Sequence, residues 1–449
     1  MRDAHTKAME LIEIGEKYNP DNLVVQSVKG VVLNRMERFE DSIPIFESLL
    51  EKDTSGDRHF HALLGLGESY FKTNRYHDSI ASSTLAIQLQ PARDEPYFHL
   101  GLSYIAIENL VDGVTNLAKA IEINPDHLGA HINLAHVMLK VGMFDEGWQH
   151  HEWRFHESMK NIARFNLPFP QWHNEPIAGK HIFLWVDQGL GDQVMYCSLI
   201  PRLVDAGARV TVMAERRLAD IFKRSFEIEN FFSFDKAGIE EIANSTGQYD
   251  YHSPMGSLPA FYLRSFDDFG SGKAFLKPNK TLVEQYTKEL KERFPNKKLI
   301  GFGWRGGISA TRDHARFIDL PLWSPLFSRP ECQFINFQYD ATPEEIAALD
   351  AQGVYTPAID LRSDIDTVVA FLAALDLYIT SDNTNAHLAG AIGIPIWNLI
   401  PRAAEWRWFL ERDDSPWYQS MRLFRNSELD SWDGCMQKVN LALSDITDV

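Results

Sequence analysis

Cysteine is scarce in this chain: there are three, Cys197, Cys332 and Cys435, each isolated in sequence. That excludes a disulfide framework, and no two of them have the short spacing of a zinc site. Basic residues are outnumbered, 44 Lys and Arg against 62 Asp and Glu, for a formal net charge of -18. Such an acidic chain is a poor partner for nucleic acid or an anionic membrane. No apolar run is long enough to span a bilayer. The start, Met1 to His5, leads straight into an amphipathic helix without a signal-peptide pattern, so the cytoplasm is the expected location. The balance is that of a soluble globular protein, 45% hydrophobic and 24% charged. At 449 residues the chain is too long for one core, and two or three domains are expected.

The first third is a repeat. Gly67, Gly101 and Ala135 are spaced by 34 residues, and Tyr70, Tyr104 and Met138 follow at the same spacing. Pro91 and Pro125 close two units, and a looser copy around Gly30 has about three extra residues in its turn. The small residues let the two helices of each pair approach closely. The large ones fill the space between neighbouring pairs, so the stack rather than the pair is the stable unit. Tyr70 and Tyr104 read as core. The aromatic run Trp148 to Phe155 reads as a last helix that caps the array.

Beyond a Pro- and Gly-rich connector the pattern changes to strands alternating with helices, which argues for parallel sheets. His181 to Val186 is a continuous apolar run, expected as a strand buried on both faces. The turn Gly189-Leu190-Gly191-Asp192 follows it, then a helix over Gln193 to Ala206, then a strand over Arg209 to Met213. A second alternating run begins with the strand Lys298 to Gly303. Further strands are expected over Gln333 to Phe337, Asp376 to Ile379 and Ile396 to Leu399, with a helix over Ala386 to Ile392.

Four stretches carry chemistry-bearing residues. The turn of Gly189, Leu190, Gly191 and Asp192 lies at the carboxyl end of a strand, the edge where α/β proteins bind ligands. Its glycines permit close approach of a substrate; the alternative is a tight turn in which Asp192 serves the first helical turn. The loop from Trp304 to Asp319 holds Arg305, Arg312 and Arg316, whose forks suit diphosphate oxygens or ordinary surface pairs with aspartate. The stretch Ser381-Asp382-Asn383-Thr384-Asn385-Ala386-His387 opens a small-residue helix. Its free N–H groups and dipole suit a phosphate, and the plainer reading is that Asp382, Asn383 and Thr384 cap the helix. The fourth stretch, Pro401 to Trp408 and then Asp414 to Phe424, is rich in Trp and Arg. It can stack a nucleobase or pack between lobes, and packing is the expected use.

The 34-residue pattern resembles the tetratricopeptide repeat. The stretches Trp185 to Asp192, Gly301 to Arg316, Ser381 to Trp397 and Asp414 to Arg425 resemble the bacterial glycosyltransferase superfamily that contains the ADP-heptose:lipopolysaccharide heptosyltransferases, in its repeat-bearing branch. The architecture is also similar to that of the protein O-GlcNAc transferases. The resemblance implies an α plus α/β fold: a solenoid over residues 1–158, a connector over 159–180 and two Rossmann-like lobes of the GT-B kind. The lobes would span 181–275 and 298–449, with a linking segment over 276–297.

The resemblance also implies an inverting, metal-independent sugar transfer from a nucleoside-diphosphate sugar, with no cofactor. Asp192 stands at the position of the catalytic base, with Gly189, Leu190, Gly191 and Gln193 forming the acceptor-side turn. Arg305, Arg312 and Arg316 would neutralise the departing diphosphate. Asp382, Asn383, Thr384 and Asn385 would bind the phosphates, His387 would steady their turn, and Gln338 would lie near the ribose or base. The repeats would recruit a protein or glycan acceptor. The competing expectation is a non-catalytic peptide-binding scaffold with a degenerate transferase module.

Overall fold

The structure is a computed structural model. It describes residues 2–447, apart from 55, 160–164, 166, 244–247, 307–313 and 429–430. The chain divides into two compact units, Met1–Val141 with Glu146–His156, and Gly142–Asp145 with Glu157–Val449.

The first unit is built from helix pairs. Leu23–Arg35 pairs with Phe39–Lys52, Gly56–Lys72 with Tyr76–Leu89, and Asp94–Ala106 with Leu110–Ile123; Arg2–Tyr18 precedes them and Leu128–Lys140 follows. The repeated small residues act as expected. A Cβ added at Gly67 would lie 2.8 Å from Ser83 Oγ, and one at Gly101 2.9 Å from Leu117 Cγ, so at these two positions a side chain would crowd the neighbouring helix. Leu63, Leu66, Leu117 and Leu134 fill the gaps and are buried. Each such burial contributes roughly 1.5–3 kcal/mol.

A buried seam of serines joins neighbouring pairs, which the sequence reading missed. Ser42 and Ser69 hydroxyls lie 2.8 Å apart, and Ser69 donates to Asn34 Oδ1 at 2.9 Å. Ser79 donates to the Gly67 carbonyl at 2.7 Å, and Ser103 donates to Ser79 Oγ at 2.8 Å. Ser69 and Ser103 are themselves 34 residues apart, so the signal was in the period. Tyr70 is buried, with its hydroxyl donating to Glu47 Oε1 at 2.6 Å; Tyr104 is only half-buried.

Among the described residues of the second unit the strands form two wholly parallel sheets. The first contains β1 (His181–Trp185), β2 (Arg209–Ala214), β3 (Asn230–Ser233) and β4 (Tyr251–Pro254), in the order β3-β2-β1-β4. The second contains β5 (Lys298–Gly303), β6 (Cys332–Asn336), β7 (Leu377–Ser381), β8 (Ile396–Ile400) and β9 (Met421–Arg425), in the order β6-β5-β7-β8-β9. Every residue of β1, β7 and β8 is buried, as strands covered on both faces must be. The order reverses between β1 and β4, and again between β5 and β7. At such switch points the loops leaving neighbouring strands diverge and open a crevice at the carboxyl edge.

Three expected boundaries move. The helix expected over Gln193 to Ala206 is Leu190–Tyr196, a 3-10 turn Cys197–Leu199, and Ile200–Asp205. Gly189 is the N-cap of the first piece, so Gly191 and Asp192 fall inside its first turn. The break precedes Pro201, which has no N–H to continue the ladder and so opens the next piece. Thr380 and Ser381 complete β7, so its strand is longer than expected. The following helix begins at Thr384, not Ala386, and ends at Gly393, whose φ of 79° suits glycine. Between the sheets the chain runs through Phe275 and Leu276, whose N–H groups both donate to the Ala391 carbonyl, at 2.9 and 3.0 Å. The helix Lys280–Arg293 follows, capped by Asn279 Oδ1.

Candidate functional site

At the first switch point Asp187 Oδ1 accepts the Gly256 N–H at 3.1 Å, tying the loop after β1 to the one after β4. Gln193 is buried. Its amide donates to the Gln188 carbonyl at 3.1 Å and its Oε1 accepts the Glu215 N–H at 3.0 Å. Gln193 therefore anchors the turn from inside. Gly189 and Leu190 begin the helix, and Asp192 projects from its first turn.

At the second switch point Asn383 is the N-cap of the Thr384–Ile392 helix. Its Oδ1 accepts from Ala386 N at 3.2 Å, and its Nδ2 donates to Thr380 Oγ1 at 2.8 Å. The cap is thus Asn383, and Asp382 makes no capping bond among the described residues. Asp382 is 2% exposed and its Oδ2 has no partner among them. Thr384 is the first helical residue and Asn385 is buried behind it. Burial pushes the Tyr378 hydroxyl up to about 12, with nearby Thr380 and Asn385 opposing the rise.

The arginines of the loop after β5 part ways. Arg305 was expected on a diphosphate, yet its guanidinium is engaged by carboxylates. Nε donates to Asp340 Oδ1 at 3.0 Å, and the two terminal nitrogens reach Glu345 at 2.5 and 3.0 Å. The reason is strand order: β6 lies beside β5, so the acidic start of the Pro343–Asp350 helix comes next to the loop. Gln338 likewise holds the loop. Its Oε1 accepts the Trp304 and Arg305 N–H groups at 3.0 and 3.1 Å, and its amide donates to Asp340 Oδ1 at 2.8 Å. Arg316 lies at the helix start: a Cβ on Gly306 would be 2.9 Å from the Asp382 carbonyl oxygen and 3.3 Å from Arg316 Nε. Arg312 lies outside the described residues.

The two edges meet. A Cβ on Gly191 would lie 2.9 Å from the His387 ring, so the helix bearing Asp192 rests on the helix bearing the cap. His387 is buried, with Nδ1 2.8 Å from the Tyr418 hydroxyl and its ring 5.2 Å from that of Trp408. Burial, with Arg407 adding to it, holds the imidazole well below its ordinary value, so it is neutral at pH 7. Arg407 donates to Asp192 Oδ1 at 2.6 Å. Burial works against the charge of that guanidinium, but Asp192 and Asp382 together carry it above its usual value. A second bond between the lobes joins Arg224 to Asp366. Sequence reasoning saw the Trp406-Arg407-Trp408 stretch but gave it to packing. The signal was a cation between two indoles in the loop after a buried parallel strand.

No family model matches the chain. It is 31% identical over 326 residues to Protein FlbA of Caulobacter vibrioides, covering 69% of this chain and 54% of that protein. It is 22% identical over 243 residues to tetratricopeptide repeat-containing protein trd-1 of Caenorhabditis elegans, covering 54% of this chain and 28% of that one. The chain therefore spans about half the length of the first relative and less of the second. Among solved structures it is similar to a glycosyl transferase family 9 protein from Veillonella parvula, with a TM-score of 0.43 and 13% identity, over 61% of this chain and 90% of that one. It is also similar to MamA from Desulfovibrio magneticus, with a TM-score of 0.29 and 19% identity, over 34% of this chain and 82% of that one. By its own architecture the chain is a tetratricopeptide-like solenoid joined to a module of two parallel α/β sheets. No helix among the described residues is long and apolar enough to cross a membrane.

Proposed function

We propose that the second unit transfers a sugar from a nucleoside-diphosphate sugar to an acceptor hydroxyl, with inversion and without a metal. The observation that supports this reading best is the meeting of two switch-point edges: a carboxylate on one, Asp192, against a helix N-terminus on the other. Asp192 takes the acceptor proton as the acceptor oxygen attacks the anomeric carbon. The bond to the diphosphate breaks on the opposite side, and the leaving group keeps its electron pair. The N–H groups at the start of the Thr384–Ile392 helix, over residues 382–385, and Arg316 take up the charge that develops there. Arg305 and Gln338 hold the loop rather than the ligand. Neutral His387 packs the two edges together. The solenoid presents the acceptor, a protein or a glycan.

The test is a thermal-shift screen with the nucleoside diphosphates of uridine, adenosine, guanosine, cytidine and thymidine. A ligand at a hundred times its Kd stabilises the folded state by about 2.7 kcal/mol. One of them is expected to raise the melting temperature; no shift with any would sink the proposal. Asp192→Ala is expected to lower transfer about 10²- to 10⁴-fold while the nucleotide still binds, and loss of binding would reassign Asp192. A second reading has one observation in its favour, that Asp192 is already ion-paired. In it the module is catalytically silent and the solenoid is a peptide-binding scaffold, which predicts nucleotide binding without turnover.

A further inference from the structure

Arg407 has no role in that scheme, yet it is the residue that touches both halves of the site. It lies in the loop after β8, the strand next to β7, and so approaches the helix start from its own sheet. From there it crosses to the other lobe and donates to Asp192 Oδ1 at 2.6 Å. The groups facing it are Asp192 and Tyr196 from the first lobe, and Asp382 and His387 from the second.

The arrangement is left incomplete. Arg407 Nε is buried with no partner among the described residues, and so is Asp382 Oδ2, on a carboxylate 98% buried at the mouth of the helix. A guanidinium is a fork of five donors suited to two anions at once, and buried polar groups are ordinarily satisfied. The unused Nε–H of Arg407, beside the N-terminus of a nine-residue helix, marks a place where an acceptor belongs, while Asp382 Oδ2 is itself an acceptor and calls for a donor. Arg407 is also a cation flanked by two carboxylates, so an arriving anion competes with Asp192 for it.

We propose that Arg407 is shared between the base and the donor: in the free protein it holds the Asp192 carboxylate, and a bound nucleoside diphosphate draws on the same guanidinium and releases it. This rests on the reading of the helix start as a diphosphate site. The base is then masked while the site is empty and is freed once the donor is in place. Arg407 thus contacts the donor diphosphate as well as the base, and the acceptor proton still goes to Asp192. The device makes donor binding precede activation of the acceptor.

The consequence is a gain of affinity on removing a charge that does not touch the nucleotide. Titration calorimetry with the stabilising nucleoside diphosphate would be run on the parent chain, on Asp192→Asn, on Arg407→Met and on the double variant. Circular dichroism and melting would confirm that each is folded. Asp192→Asn is expected to bind about fivefold more tightly, the scale of a partly buried pair no longer broken on binding. Arg407→Met is expected to bind about tenfold more weakly, with the gain from Asp192→Asn gone in its background. If Arg407→Met does not fold, Arg407→Gln carries the same cycle, removing the charge while keeping a polar group in place. An unchanged affinity in folded Asp192→Asn overturns the sharing. So does a gain that persists without Arg407, because the Asp192 charge would then act on the nucleotide directly. A parent chain that binds none of the nucleotides overturns the diphosphate site itself, and the two failures are thereby told apart.

Discussion

The two units treat buried polar groups differently. In the solenoid they satisfy one another: Ser42 with Ser69 and Asn34, Ser79 with Gly67 and Ser103. Ser83 Oγ and His99 Nδ1 are the exceptions found among its described residues. In the α/β unit unpartnered buried groups are more numerous among the described residues, and several lie in or just after β7 and β8. Ser381 Oγ, Asp382 Oδ2, both side-chain atoms of Asn398, Arg407 Nε and Trp408 Nε1 have no partner among the described residues. Such groups are costly unless water or a ligand completes them. The serine seam of the solenoid is thus largely closed on itself, whereas the α/β unit leaves polar groups near the start of the Thr384–Ile392 helix without a protein partner among the described residues.

This contrast can be broken in several ways. The largest effect expected is on transfer: Asp192→Ala should lower it about 10²- to 10⁴-fold, the usual contribution of a general base, with the solenoid's melting unaltered. A steady-state assay with the stabilising nucleotide's sugar would read it. Next is the opposite case, Leu117→Ala. It should cost about 2–5 kcal/mol in chemical denaturation by opening a cavity in the repeat core, without changing nucleotide affinity. A matching loss of affinity would mean the units are not separable. Arg316→Ala should weaken nucleotide binding about tenfold, as loss of a charged hydrogen bond does. Arg305→Ala should lower stability instead, because it leaves Asp340 and Glu345 without their cation. An equal affinity loss in both would make Arg305 a ligand as well as a clamp.

The smallest effect concerns pH. Burial holds His99 in the solenoid and His252 in the α/β unit down at about 4. The unfolded chain therefore binds protons that the folded chain does not. Their contribution is complete above about 6.5, the unfolded value, and is lost as pH falls through it toward 4. Melting followed from pH 7.5 to 5 should show both units losing stability. If His252→Asn flattens the loss in the solenoid transition, the histidines are not acting locally.

Much of the fold was legible because it is periodic or local. The spacing of Gly67, Gly101 and Ala135 gave the repeat, a continuous apolar run gave β1, and the alternation of strands with helices gave β5 and β8. Pro201 could have shown where the helix after Asp192 breaks. In the site, the Gly189 to Asp192 turn and the start at Asn383 were visible as turns after strands. Their meeting was not, because it depends on how two sheets face each other. The partners of Arg305 and Arg407 were hidden for the same reason. Asp340 and Glu345 come to Arg305 by strand order, and Asp192 lies 215 residues from Arg407. An arginine's neighbours in sequence say little about which anion it will find.

The Ala391 carbonyl has a mechanical consequence. It accepts two N–H groups from the segment that leads from one lobe to the other, at the far end of the helix that begins at the site. That helix is nine residues, about 13 Å of stiff rod. Any pivoting of the lobes must pull on the rod's tail, and its tip carries Asn383 and the N–H groups beside Arg407. A pivot of the lobes would therefore re-aim the tip as well. A glycine pair inserted at Phe275, slackening the tether, would uncouple them without altering any side chain in the site.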